Sequence, residues 1–334
     1  MRAIGFHAPH PIEHAESLLD LDLPAPTPGP RDLLVRVAAV SVNPVDTKVR
    51  ASRTPQADTP EVLGWDAVGT VQAVGAHVQH YQVGDRVFYA GAIHRPGTNA
   101  ELHVVDERIV GRAPLSQSDA EAAAMPLTAI TAWELLFDRL GVAQGGGQGQ
   151  SLLIVGGAGG VGSMLIQLAR QLTQLQVVAT ASRPETRQWC LDLGAHAVID
   201  HRQPFAPQLP GGTVDLVAAL TQTDQHLPQI VDALRPQGRL ALIDDPKALD
   251  VSLLKRKSLA LHWELMFTRS LFETPDMEQQ RVLLNEVAAL ADAGRIRSTV
   301  QQVLAPINAA HLRQAHALIE SGKALGKVVL QGWH

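Results

Sequence analysis

Cysteine is almost absent from this chain: Cys190 is the only one in 334 residues. No intramolecular disulfide can form, and such usage fits a reducing compartment, so a cytoplasmic location is expected. A strong charge of one sign is lacking too. The formal net charge of −5 leaves no basic footprint for a nucleic-acid partner. No apolar run reaches membrane-spanning length, and the opening MRAIGFHAPHPIEHAE has no apolar core of a secretory signal, so no membrane partner is expected. Aromatic residues make up 4% of the chain and only two are tyrosines. What is present is ordinary globular composition, 46% hydrophobic and 18% charged, over a length that suits two domains better than one.

The most informative stretch is LLIVGGAGGVG, Leu152 to Gly162, an apolar strand running into a glycine-rich turn with the helical pattern MLIQLARQL directly after it. Gly157, Gly159 and Gly162 fit G-x-G-x-x-G. One glycine allows the tight turn, one lets the backbone approach a pyrophosphate, and one lets helix pack on strand. Gly160, Val161 and Gly162 would open the helix, whose free N–H groups favour a phosphate. The strand–turn–helix context makes this a dinucleotide site. A second apolar strand, Gln176 to Ala181, ends where an NAD site wants an acid for the ribose hydroxyls, about 20 residues past the last glycine. Ser182, Arg183 and Arg187 follow instead. A hydroxyl and guanidinium groups bind a 2′-phosphate that a carboxylate would repel, so NADPH is the expected cofactor.

Upstream of the glycine turn, Leu33–Val42, Ala67–Gly75, Asp85–Ala90 and Glu101–Val105 are short apolar stretches broken by Gly, Pro and Asp. They predict a mostly antiparallel, partly barrel-like domain. From Ser118 the pattern turns helical through SDAEAAAMPLTAITAWELLF, with Ser118 and Glu121 spaced as a capping box. A glycine-rich loop, Gly141–Gln150, leads into the nucleotide strand. LLIVG, QVVATAS, HAVIDH, VDLVAAL and RLALID then alternate with helical stretches, which predicts a doubly wound parallel sheet. Two helical patterns stopped by Gly294 and Gly322 and a short strand, KVVL, complete the tail.

The phrases VSVNPVDTKVR, LGWDAVGTVQAVG with GDRV, AAMPLTAITAWELL, GGAGGVG and GKALGKVVL together resemble the medium-chain dehydrogenase/reductase superfamily. Within it the chain resembles the quinone oxidoreductase branch, and HWELMFTRSLFETPDM is similar to its zinc-type alcohol dehydrogenase-like subgroup. The resemblance implies an α/β protein: a GroES-like catalytic domain over residues 1–124, completed by 267–334, and a Rossmann domain over 125–266. It implies an active site in the cleft between them and a homodimer or homotetramer.

Zinc members hold their catalytic metal with Cys, His and a later Cys or Asp, plus a nearby Glu. Here Asn43 stands at the first cysteine position, and Gly64-Trp65-Asp66 replaces Gly-His-Glu. The segment after GDRV has no cysteine for a structural lobe. Asn is a poor zinc ligand and Trp is none, so no bound metal is expected. His7, His10 and His14 lie in a segment broken by Pro9 and Pro11 and read as surface histidines.

Without a metal Lewis acid, a quinone or α,β-unsaturated carbonyl is the easier hydride acceptor, because the product anion is delocalised and one or two hydrogen bonds suffice. The expectation is therefore an NADPH-dependent, zinc-independent oxidoreductase acting on such a small molecule. A zinc alcohol dehydrogenase, or an NADPH-binding sensor without turnover, are the alternatives. At the family's motif positions, Asn43 either donates its amide to the acceptor oxygen, anchors the nicotinamide, or is only a turn residue before Pro44. Asp46 orients that loop. Trp65 offers an aromatic wall or is plain core, and Tyr89 is a proton donor or an edge-strand aromatic. By the same resemblance Thr128, with Thr131, begins a cofactor-contacting helix and His201 lies on the adenine side. Trp263, Phe267 and Arg269 would line the substrate side.

Overall fold

The computed structural model describes residues 1–56 and 59–333, in two compact units: Met1–Leu127 with Phe267 to the C-terminus, and Thr128–Met266.

In the first unit, eleven residues of alternating burial, Asp32–Val42, form the central strand of a seven-stranded sheet. Ala67–Val74 and Leu102–Asp106 pair with it antiparallel, and Arg86–Tyr89 and Val110–Arg112 extend the sheet. The C-terminal strand Lys327–Gln331 pairs antiparallel with the same central strand, Val328 opposite Val42, and Val300–Leu304 runs parallel beyond it. That register brings the start of the last strand to the end of the central strand, just before Asn43. A smaller antiparallel sheet joins Arg2–Phe6, Leu19–Asp22 and Glu61–Val62.

The second unit is a six-stranded parallel sheet. Its spatial order is Ala197–Ile199, Gln176–Thr180, Ser151–Val155, Val214–Ala219, Leu234–Leu242 and Ala260–Trp263. The first three strands run outward one way from Ser151–Val155 and the rest the other way. This is the doubly wound Rossmann order, which places its ligand crevice at the C-terminal ends beside the first strand. The inner strands are apolar on both faces, as a sheet covered by helices on both sides requires. Its last strand, Ala260–Trp263, is not legible as a strand in the sequence, being short and flanked by charge.

The helical stretch from Ser118 is not continuous. The capping box forms, with Glu121 accepting from the Ser118 N–H at 2.9 Å and Ser118 Oγ accepting from the Glu121 N–H at 3.3 Å. The helix then stops at Ala123, because Pro126 disfavours helical backbone at the residue before it and supplies no N–H. A new helix, Pro126–Trp133, starts with that proline at its first position, and Glu134–Arg139 continues as a wider π-helical turn. The tail helices are Gln279–Asp292 and Ala309–Glu320, ended by Gly294 and Gly322 in left-handed backbone. Asn308 caps the latter by accepting from the His311 N–H at 2.8 Å.

Candidate functional site

The glycine turn lies at the C-terminal end of Ser151–Val155 and opens the helix Gly160–Leu172, with Gly159 as its N-cap. The glycines divide the work as steric logic demands. A Cβ on Gly157 would stand 2.7 Å from the Ala179 Cβ and 3.1 Å from Cys190 Sγ, so the turn must press on the neighbouring strand. A Cβ on Gly162 would stand 2.4 Å from the Gly156 carbonyl oxygen, so helix and turn interlock there. At Gly159 the nearest atom would be 3.7 Å away, which leaves that backbone open to an approaching group. Thr180 ties the turn down, its hydroxyl accepting from the Gly156 N–H at 3.0 Å. The first helical hydrogen bond runs from Ser163 to Gly159, so the N–H groups of Gly160, Val161 and Gly162 precede the ladder and are set for a phosphate. Cys190 is a buried thiol under this turn; burial pushes it up to about 12, and it is a packing group.

Beyond the second strand, Arg187 is engaged by the backbone. Its guanidinium donates to the carbonyls of Ala181 (3.2 Å) and Val198 (2.8 Å), closing the ends of two strands. Arg183 is partly exposed beside Glu185 at 3.1 Å. Arg202, which the sequence reading missed, donates to the Ser182 carbonyl at 3.3 Å and pairs with Asp200. The cationic edge beside Ser182 is thus Arg183 and Arg202. His201 meets His226 edge-on at 6.1 Å between ring centres, and partial burial lowers its pKa. Thr128 and Thr131 are buried near the start of Pro126–Trp133. Trp263 is 52% exposed on the outermost strand of the second unit, and Phe267 and Arg269 belong to the first.

The second unit also holds a buried acid pair that no sequence signal flagged. Glu134, in the π-helical turn, and Glu264, just past the last strand, are both buried, and Arg139 donates to Glu264 at 2.7 Å. Burial first, then the charge of Glu134, pushes Glu264 up to about 9 despite Arg139. Its folded pKa lies above the ordinary value of 4.5, so its stabilising contribution is full below about pH 4.5 and is lost as pH rises through about 9. Thermal scans across that window are expected to show a falling Tm. Glu264→Gln should flatten the slope by on the order of 5 °C between its ends. An unchanged slope would mean that the pair does not share a proton.

In the first unit the motif residues converge on one carboxylate. Asp66, fully buried, accepts at Oδ2 from Ser41 Oγ (2.6 Å), Asn43 Nδ2 (2.8 Å) and Lys327 Nζ (3.0 Å). Its Oδ1 accepts from the Leu127 N–H at 2.7 Å, which anchors the first turn of Pro126–Trp133. Lys327 also donates to the Val42 carbonyl and to Asn43 Oδ1. Asn43 Nδ2 donates further to the Trp65 carbonyl at 3.3 Å. Every polar atom of the Asn43 side chain is engaged, which corrects its expected role as a donor to the acceptor oxygen or the nicotinamide. Asp46 accepts from the Asn43 N–H at 2.7 Å and fixes the loop; burial pushes its carboxyl up to about 7.

Tyr89 is also turned inward. Its hydroxyl lies 3.1 Å from His103 Nδ1, the rings stack at 5.4 Å, and His103 Nε2 lies 3.0 Å from the Pro96 carbonyl. Burial lowers His103 to about 4, so it is neutral; Nε2–H donates to Pro96 and Nδ1 accepts from Tyr89. Burial also raises the Tyr89 hydroxyl. This corrects the proton-donor expectation for Tyr89. Arg269 pairs with Asp276 at 2.9 Å. Trp65 and Phe267, both buried, meet edge-to-face with centroids 6.0 Å apart.

These donors do not fit zinc. The carboxylate at the old ligand position is saturated by two side-chain donors, a backbone N–H and an ammonium, and its neighbours are an amide and an indole. Among the described residues, the one grouping of three possible ligands is His10, His14 and Glu16, part-exposed or exposed and away from this cluster in sequence. There His10 and His14 stack at 4.1 Å, and His14 Nδ1 already accepts from the Glu16 N–H.

A Rossmann sheet with an intact dinucleotide turn, joined in one chain to an antiparallel unit that its own C-terminus completes, defines a two-part nicotinamide oxidoreductase. Residues 29–115 match the model for the alcohol dehydrogenase GroES-like domain, and residues 193–330 match that for zinc-binding dehydrogenases. A zinc-type alcohol dehydrogenase-like protein of Staphylococcus aureus strain COL is 38% identical over 99% of both chains. A crystal structure from Rhizobium etli CFN 42, described as a zinc-dependent alcohol dehydrogenase, is 55% identical with a TM-score of 0.95, covering 100% of this chain and 98% of that one. A mycobacterial protein solved with NADPH is 28% identical with a TM-score of 0.84, over 99% and 100% of the two chains. The chain belongs to the medium-chain dehydrogenase/reductase superfamily, in the group of zinc-type alcohol dehydrogenase-like proteins.

Proposed function

We propose that the chain is an NADPH-dependent, zinc-independent reductase of quinones or α,β-unsaturated carbonyls. The observation that carries the reading is the Asp66 cluster: where the family's zinc chemistry needs open ligands, this chain has a carboxylate closed by Ser41, Asn43, Leu127 and Lys327. A reductase without a Lewis acid needs an acceptor whose product anion is delocalised. Bound NADPH would supply a hydride. Gly159 and the N–H groups of Gly160, Val161 and Gly162 would hold its pyrophosphate, and Ser182, Arg183 and Arg202 would stand at its 2′-phosphate. Trp65 and Phe267 offer a rigid aromatic corner to a flat acceptor.

The test is steady-state NADPH oxidation with 9,10-phenanthrenequinone, 1,4-benzoquinone and a short enal, with and without a strong chelator. Turnover indifferent to the chelator is expected. Activity lost to the chelator would restore a zinc alcohol dehydrogenase, and bound NADPH without turnover would make the chain a sensor. For the cofactor, Arg183→Ala is expected to weaken NADPH about tenfold while leaving NADH nearly unchanged, the loss of one charge-assisted contact. Arg187→Ala should lower Tm without changing the ratio of the two affinities. Equal losses for both cofactors in Arg183→Ala would mean that the 2′-phosphate is not bound there.

A further inference from the structure

The groups gathered around Asp66 are closed systems. All three protons of Lys327 have acceptors in Val42, Asn43 and Asp66, Asn43 donates to Asp66 and Trp65, and Ser41 donates to Asp66. Tyr89 donates to His103. One donor breaks the pattern. Trp65 is 1% exposed, yet its indole Nε1–H has no acceptor among the described residues. A buried N–H left unmade costs about 1–3 kcal/mol, so the group calls for a physical reason.

The indole is held firmly in place. Its backbone carbonyl accepts from Asn43, the next residue is the Asp66 hub, and Phe267 meets its ring edge-to-face at 6.0 Å. Gly91 lies along its pyrrole edge: a Cβ there would come within 4.0 Å of Trp65 Cδ1, the carbon bonded to Nε1. Trp65 also stands at the position where zinc relatives write the histidine of Gly-His-Glu, the residue that there reaches the substrate oxygen through the metal.

We propose that Trp65 is a catalytic residue whose indole Nε1–H donates a hydrogen bond to the carbonyl oxygen of the acceptor. The inference rests on the reductase reading above and names the group that replaces the metal. Hydride adds to the β-carbon of an enone or to a quinone ring, the C=C or ring π pair shifts toward the carbonyl, and negative charge develops on that oxygen. The indole donates to it throughout and stays protonated, while solvent supplies the proton that completes reduction. A neutral donor of this kind suits a delocalised enolate or hydroquinone anion and would be too weak for a localised alkoxide. It therefore selects conjugated acceptors over simple ketones.

Trp65→Phe keeps an aromatic ring against Phe267 and removes the N–H. With an enal or benzoquinone, kcat is expected to fall about 10- to 100-fold, with a smaller change in KM and none in NADPH affinity, because the bond strengthens as charge develops. Incorporation of benzothienylalanine at position 65, which keeps the bicyclic shape and lacks the donor, should reproduce the loss and covers the case in which phenylalanine fails to fold. Wild-type turnover with kcat unchanged in the benzothienyl protein would overturn the inference and leave the reductase reading intact. A wild-type protein inactive on every conjugated acceptor would overturn both.

Discussion

Asp66→Ala is expected to cost the first unit about 3–5 kcal/mol, because it leaves the Lys327 ammonium buried with its countercharge removed. The lysine is 3% exposed and 3.0 Å from the carboxylate, so water cannot take over. The same substitution strips the acceptor from the Leu127 N–H and from Ser41 and Asn43. Lys327→Met alone should be nearly as harmful, since it leaves the carboxylate uncompensated. The double variant should lose clearly less than the sum, with a coupling of about 2 kcal/mol, because neither charge then remains. Urea unfolding of the four proteins measures this. A loss below about 1 kcal/mol for Asp66→Ala would mean that the cluster is not what joins the C-terminal strand to the Asn43 loop.

This cluster marks the limit of what the sequence discloses. Asn43, Asp46, Trp65 and Asp66 stand out by position, but Lys327 does not. Its role depends on the antiparallel register of Lys327–Gln331 against Asp32–Val42, a pairing across most of the chain. The Glu134–Glu264 pair was hidden for the same reason, and the π-helical turn that carries Glu134 leaves no periodic trace. Local signals fared better. The capping box at Ser118 and the helix stops at Gly294 and Gly322 need only neighbours in sequence, and the structure has all of them. The alternation of strands and helices after Leu152 also suffices for the doubly wound order, since right-handed crossovers leave few other arrangements. Arg183 and Arg187 read alike as letters. Only the strand ends show that Arg187 is engaged by two carbonyls.

The glycine turn allows fold and function to be separated within four residues. Gly159 has φ −73° and ψ 175°, a conformation open to any residue, and a Cβ there meets nothing closer than 3.7 Å. Gly159→Val should therefore leave Tm within about 2 °C of the parent, a surface substitution without a clash. It should nonetheless weaken NADPH and NADH alike by at least about 100-fold, or about 2.7 kcal/mol, because the branched side chain occupies the space a pyrophosphate must enter. Gly162→Ala is the opposite case. Its methyl group would stand 2.4 Å and 2.7 Å from the carbonyl oxygens of Gly156 and Gly157, so helix and turn must part, at about 1–3 kcal/mol of stability. Calorimetric titration beside thermal unfolding distinguishes the two. A Gly159→Val protein that binds either cofactor normally would show that the pyrophosphate does not approach this backbone, and the assignment of the turn as the dinucleotide site would fall with it.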